Sequence, residues 1–245
     1  MKTATSTALT VAGFDPSGGA GLQADLKTFS AFGVSGKSVA TSITIQNTVG
    51  VETVHNISPE VVEQQLRAIL RDGKPGAVKT GMLGNELIVE TVVRILRRYR
   101  VKKIVVDPVI YSSSGKSLLS EPGIQVMKKE LLPVTFLLTP NLNETEILSG
   151  VKIRQPSDRI RAARVLIKMG AKNILIKGGH LKGEPQDFFF DGKRSLCLNA
   201  DRVTGVDVHG TGCTLASAIT AGLAKGKDIV AAVKEAKEFI GLAIM

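Results

Sequence analysis

Hydrophobic and polar positions change period repeatedly along the chain. Short runs rich in β-branched residues alternate with longer stretches in which apolar residues recur every three or four positions, the patterns of strands and amphipathic helices. Ala8-Leu9-Thr10-Val11-Ala12 predicts a buried strand ending at Gly13, and 38–45 predicts a second. Ser58 predicts a helix cap with Pro59 at the first helical position, and Val61, Val62, Leu66, Ile69 and Leu70 fall on one face behind it. Further strands are predicted at 77–80, 104–106, 136–138 and 173–176. Further helices are predicted from Asn85 through Leu96, over 157–169 and 211–224, and from about Asp228 onward. Phe188-Phe189-Phe190 and 195–198 flank Asp191-Gly192 and predict a small β-hairpin near 187–199.

Alternating strands and helices imply right-handed βαβ units, hence an α/β fold with helices on both faces of a mostly parallel central sheet. No linker or internal repeat interrupts 1–245, so a single domain is expected. In such a sheet ligands bind at the carboxyl ends of the strands. The chemistry is therefore expected just after Ala12, Ile45, Thr80, Val106, Leu138 and Ile176.

Composition narrows the function classes. The chain has 245 residues, 43% of them apolar and 22% charged, which is ordinary for a globular protein and argues against extended disorder. The net charge of +10 raises nucleic acid as a partner, but only Arg97-Arg98 and Lys102-Lys103 approach a cluster. With no Trp, two Tyr and eight Phe, no dense aromatic platform for stacking bases is expected, so a small anionic ligand is expected and no nucleic acid. Two Cys exclude a disulfide scaffold and fit a reducing compartment. No apolar run reaches the ~18 residues of a membrane span, and the first residues lack a signal-peptide core, so the expected location is cytoplasmic.

Two glycine clusters and several isolated polar residues fall at the expected strand ends. Gly13-Phe14-Asp15-Pro16-Ser17-Gly18-Gly19-Ala20-Gly21 runs into a helix, but matches neither the Rossmann fingerprint nor the Walker lysine loop. His209-Gly210-Thr211-Gly212-Cys213-Thr214 precedes the apolar helix 215–219, where backbone amides at a helix start can form an anion nest. Cys213 would sit in that positive field, which favours a thiolate. Asn141 and Glu144, three apart on a first helical turn, suit a hydrated Mg²⁺. Lys177 stands where it could neutralise a transferring phosphate, and Asp107 adds a further carboxylate. Anion nest, lysine and metal-binding carboxylates are the parts that phosphoryl transfer requires.

These stretches, in this order, resemble the ribokinase-like superfamily. Within it the chain is similar to the hydroxymethylpyrimidine/phosphomethylpyrimidine kinases of thiamine biosynthesis. The resemblance rests on 12–28, 46–51, 79–83, Asp107-Pro108-Val109, 139–144, 177–180 and 209–214, which span nearly the whole chain. It implies a ribokinase-like three-layer αβα sandwich and an ATP- and Mg²⁺-dependent kinase. The implied reaction phosphorylates 4-amino-5-hydroxymethyl-2-methylpyrimidine and then its monophosphate, giving the pyrophosphate. The resemblance further implies that Gly13, Asp25, Gln46, Met82 and Val109 line the pyrimidine pocket. Asp107 and Asn141 would serve the nucleotide, with Asp107 and Glu144 toward the metal and Lys177 on the ATP phosphates. Gly210, Thr211, Gly212 and Cys213 would surround the transferring group; many superfamily relatives carry an Asp base where Cys213 stands. His180 and His209 read as structural, and Lys27 as equally suited to solvent or to a substrate phosphate.

The departures from the pattern are Val208, where relatives show Thr, an altered lid segment at 110–115 without the lid Cys of pyridoxal-kinase-like members, and a shorter C-terminal tail. A homodimer is expected because relatives usually are dimers. The alternatives are a pyridoxal/pyridoxine kinase and a non-catalytic pyrimidine- or nucleotide-binding regulator.

Overall fold

The computed structural model describes residues 6–47, 49–178, 186–199 and 210–244. The chain enters through β1 (Thr7–Phe14), α1 (Gly21–Ala31), β2 (Ser35–Gln46), β3 (Val51–Asn56) and α2 (Pro59–Asp72). It continues through β4 (Ala77–Thr80), α3 (Glu86–Arg98), β5 (Ile104–Val106), α4 (Glu121–Val126), β6 (Leu137–Leu138), α5 (Leu142–Ser149) and α6 (Pro156–Lys168). It closes with β7 (Ile174–Ile176), the hairpin β8 (Gln186–Phe190) and β9 (Ser195–Asn199), then α7 (Thr211–Ala224) and α8 (Ile229–Ile244).

One nine-stranded sheet in the order β3-β2-β1-β4-β5-β6-β7-β8-β9 runs through the fold. The strands from β2 to β7 in that order are parallel, while β3, β8 and β9 pair antiparallel at the two edges. Strand pleating assigns the layers. In β5, Ile104 and Val106 pack into the core under α2, α3, α4 and α6, whereas Val105 turns to the opposite core against α7 and α8. The result is the three-layer αβα sandwich expected. The chain winds away from β1 in both directions, to β2 on one side and β4 on the other. That reversal creates the crevice in which open parallel sheets bind ligands.

Local chemistry places the helix starts as expected. Ser58 Oγ accepts from the amide of Val61, and Asn85 caps α3 by accepting from the amide of Ile88. Val61 differs from expectation: it lies in the first turn of α2 and is exposed, so the buried stripe is Val62, Leu66 and Leu70. Two elements had no forecast. β3 is an exposed edge strand whose mixed residues carry little alternation, and α4 is a single short helix relaxed into a π turn over 127–131. Among the described residues no helix is long and apolar enough to cross a membrane.

Candidate active site

The carboxyl ends of the strands surround a cavity of about 190 Å³. β1 contributes Gly13, β2 contributes Gln46, and the turn after β4 contributes Gly81 and Met82. Asp107 and Val109 follow β5, Asn141 and Glu144 follow β6, and Lys177 follows β7. The start of α7 closes the opposite wall with Gly210, Gly212 and Cys213; Thr211 shares that turn without lining the cavity. Nearly every residue singled out from the sequence is thus brought to one place.

One wall of the cavity is apolar and shaped by close backbone contact. A Cβ on Gly13 would come to 3.0 Å from Met82 Sδ, so the missing side chain lets the thioether close over β1 without shifting. Thr41 Oγ1 anchors that methionine by donating to its carbonyl at 2.7 Å. Val109 has a φ of 27°, strained for a β-branched residue and held there beside the cavity. Asp15 shapes the glycine-rich turn: its carboxylate accepts from the amides of Ser17 and Ala20 at 2.9 and 2.8 Å. Lys27 Nζ donates to the carbonyl of Gly18 at 3.0 Å and so serves that turn.

The opposite wall is an anion nest. α7 begins at Gly210, whose φ of 82° is left-handed and whose missing Cβ avoids overlap with the carbonyl oxygen of Gly19. The first amides of a helix have no partner inside it, and they concentrate positive potential at its N-terminus. Lys177 Nζ lies 3.2 Å from the position a Cβ on Gly212 would take, so lysine and nest form one positive surface.

Carboxylates hold that lysine in place. Lys177 Nζ donates to Asp107 Oδ1 at 2.8 Å, with side-chain exposures of 17% and 3%. Burial opposes the ammonium charge, but Asp107 and Glu144 outweigh it and raise the lysine's pKa. Glu144 has a double role. It completes a capping box with Asn141, each side chain accepting from the other's amide at 2.8 Å, and its second oxygen accepts from the amide of Ile110. Burial pushes the Glu144 pKa up, Lys177 pulls it down and Asp107 pushes it up again, with a net rise.

Among the described residues no group of three or more His, Cys, Asp or Glu is arranged to hold a metal ion alone. Asp107 and Glu144, the second with its pKa raised chiefly by burial, nevertheless fit Mg²⁺. That ion keeps several waters and is commonly bound through one or two carboxylates together with substrate phosphates.

Two expectations change. The thiolate expected for Cys213 is not the resting form. The residue keeps some exposure at the cavity, but loss of water around its sulfur pushes the thiol up to about 11. Lys79 and an amide of Gly21 pull the other way and do not overcome it, while Asp107 and Asp25 add to the rise. Asp25, expected on the pyrimidine pocket, lies beneath the cavity and does not line it. It is fully buried and its carboxylate is taken up by Lys79, Thr10 and Ser217. Lys79, which the sequence places in the strand 77–80 without a role, also lines the cavity, and a lysine inside a central strand is a readable signal. Val208, Gly179, His180 and His209 lie outside the described residues.

The fold is shared with kinases of small heterocycles. Phosphomethylpyrimidine kinase from Clostridium difficile 630 superposes with a TM-score of 0.89 at 41% identity, covering 98% of this chain and 100% of that one. Pyridoxal kinase from Staphylococcus aureus, in complex with AMP-PCP and pyridoxal, superposes with a TM-score of 0.90 at 37% identity, covering 99% and 88%. With the nest, the lysine and the carboxylates facing one crevice, this defines a phosphotransferase of the ribokinase-like class. The family model described as phosphomethylpyrimidine kinase matches residues 15–245. The hydroxymethylpyrimidine/phosphomethylpyrimidine kinase of Rhizobium meliloti is 46% identical over 242 residues, 98% of this chain and 91% of that protein. The chain belongs to the phosphomethylpyrimidine kinase family.

Proposed function

We propose that the protein transfers the γ-phosphoryl group of ATP to the hydroxymethyl group of 4-amino-5-hydroxymethyl-2-methylpyrimidine, and then to the resulting monophosphate, for thiamine biosynthesis. The observation that carries this reading is the join of two unlike walls in one cavity. A close apolar slot of Gly13, Met82 and Val109 suits a flat ring, and it faces a positive nest beside Lys177. The amide of Gln46 offers both donor and acceptor to the ring edge. The relatives' names and the neighbour holding AMP-PCP support pyrimidine and nucleotide as the pair of substrates.

In this reading Lys177, steadied by Asp107, takes the nucleotide's phosphate oxygens, and the amides at 210–213 receive the group in flight. Asp107 and Glu144, with Asn141 beside them, would hold Mg²⁺ through its waters, and the ion would supply neutralising charge to the polyphosphate. A Cys213 thiol with its pKa near 11 is a hydrogen-bonding group and a poor base at neutral pH. The hydroxyl proton therefore leaves late, passing to an oxygen of the transferred phosphoryl group and on to water after the acceptor oxygen has begun to bond phosphorus, as a loose transition state allows. Asp25 supports the pocket from beneath.

Incubation with ATP and Mg²⁺ tests this directly. ADP is expected with the pyrimidine alcohol and again with its monophosphate. ADP with pyridoxal alone would favour the pyridoxal kinase, and ligand binding without ADP would make the protein a regulator.

A homodimer is the second part of the proposal. Phe14, Ile43 and Ile45, exposed by 41, 47 and 47%, form an apolar strip on β1 and β2, with Ile43 paired to His55 and Ile45 to Thr53 on the edge strand β3. A second copy covering the strip would remove it from water. Sedimentation is expected to give twice the chain mass for the protein and the single mass for Ile43→Glu; an unchanged distribution would reject the strip as the interface.

A further inference from the structure

Beneath the cavity lies a buried polar cluster that the proposed chemistry does not use. Asp25 on α1 accepts from Thr10 Oγ1 on β1 at 2.5 Å, from Lys79 Nζ on β4 at 2.7 and 2.8 Å, and from Ser217 Oγ on α7 at 2.6 Å. Lys79 and Asp25 are both fully buried. The ion pair stands beside an apolar core, in which Ala77 on the same face of β4 packs with Ala216, Ala218 and Ile219 of α7. A buried pair is weak evidence for stability, because desolvation offsets its attraction and apolar residues of similar size often serve as well.

The four positions follow a rule. Each stands one structural period behind a residue that lines the cavity, and Lys79 alone of the four also reaches the cavity wall itself. Thr10 is two residues before Ala12, and Lys79 two before Gly81, on the same side of their strands. Asp25 is one turn after Gly21 on α1, and Ser217 one turn after Cys213 on α7. The cluster therefore ties together, one layer down, the four backbones that form the glycine-rich turn, the turn after β4 and the anion nest. It also brings the Lys79 ammonium up to the turn after β4, 3.3 Å from where a Cβ on Gly81 would lie, and close enough to Cys213 to act on its thiol, with Asp25 acting in the opposite sense.

We propose that Lys79 is a positioning residue for phosphoryl transfer, clamped by Asp25, Thr10 and Ser217 so that the start of α7 keeps its register and its positive field against the turns after β1 and β4. The proposal rests on the reading of that nest as the transfer centre. The charged groups acting on Cys213 are Lys79 from β4, Asp25 from α1, Asp107 just after β5 and Lys177 just after β7, with Glu144 of α5 lining the same cavity.

The test uses the full chain in a Cys197→Ser background, which leaves Cys213 as the single thiol. In Lys79→Met, kcat is expected to fall at least tenfold while KM for ATP stays within threefold. Alkylation of Cys213 by iodoacetamide at fixed pH is expected to slow severalfold, because the cation favouring the thiolate is gone. A purely structural role gives the opposite sign: loosening exposes the thiol and speeds alkylation, and that result overturns the proposal. Ser217→Ala is expected to lower kcat severalfold and Ser217→Thr, which keeps the hydroxyl, to restore it; this pair decides the matter if Lys79→Met does not fold. Equal kcat in Ser217→Ala and the parent would also overturn it. Failure of the underlying reading looks different: the parent itself would yield no ADP with the pyrimidine alcohol, whatever the alkylation rates.

Discussion

Lys177→Met is expected to lower kcat/KM by about three orders of magnitude, or about 4 kcal/mol of transition-state stabilisation. The size follows from what surrounds the ammonium. Asp107 is 3% exposed and bonded to Lys177, and Glu144 is buried beside them with its pKa raised. Removing the lysine withdraws the cation from the phosphates and leaves two carboxylates facing an incoming polyanion. The Glu144 titration should respond in a defined direction. Lys177 is one of the groups that pull its pKa down, so the variant's Glu144 binds its proton more tightly and needs more Mg²⁺ to be displaced from the acid form. ADP release measured against Mg²⁺ concentration checks both parts. A loss below tenfold, or an unchanged Mg²⁺ dependence, would remove Lys177 from the phosphates.

How legible all this was depends on the kind of signal. Strands β4 and β5 were readable to the residue because central parallel strands are short, fully buried runs with sharp ends, apolar throughout in β5 and broken only by Lys79 and Thr80 in β4. β3 was not: as an edge strand it owes its place to pairing with β2, with bulged register near Gln46, and its own residues show no clean alternation. At the site, the residues at strand ends could be gathered from topology alone, since the crevice position follows from parallel order. Their electrostatics could not. A helix start suggests a lowered thiol pKa, but the balance for Cys213 turns on how much water the packed nest excludes, which no local pattern reveals. Asp25 illustrates the same limit. Its spacing on α1 is compatible with a ligand contact, and only the meeting of α1, β4 and α7 shows its carboxylate already saturated. Asn141 and Glu144 carried two signals at once: the three-residue spacing read as a metal site is also that of a capping box, and the structure builds the box while keeping both residues at the cavity.

Gly210→Ala should be among the most damaging single methyls at the described glycines, and a matched control can separate its two effects. Gly210 has a φ of 82°, where an alanine costs about 1–2 kcal/mol in backbone strain. Gly226, at the end of α7, has a φ of 87° and therefore carries a similar penalty. The two differ in what the new Cβ meets. At Gly226 nothing lies within 4 Å, whereas at Gly210 the methyl would overlap the carbonyl oxygen of Gly19 and approach Ala20 Cα at 3.5 Å. Both neighbours are backbone of the glycine-rich turn that Asp15 holds by its amide bonds, so the clash is relieved by moving the start of α7. A displacement of about 1 Å at a positioned reacting group costs on the order of a hundredfold in rate. Gly226→Ala is thus expected to lower Tm by a few degrees with kcat unchanged, while Gly210→Ala lowers Tm and drops kcat at least a hundredfold. Thermal melts and ADP release on the two variants decide it. If kcat in Gly210→Ala stays within a few-fold of the parent despite the overlap, the turn at 18–21 yields in place of the nest, and the start of α7 is not the rigid element on which transfer depends.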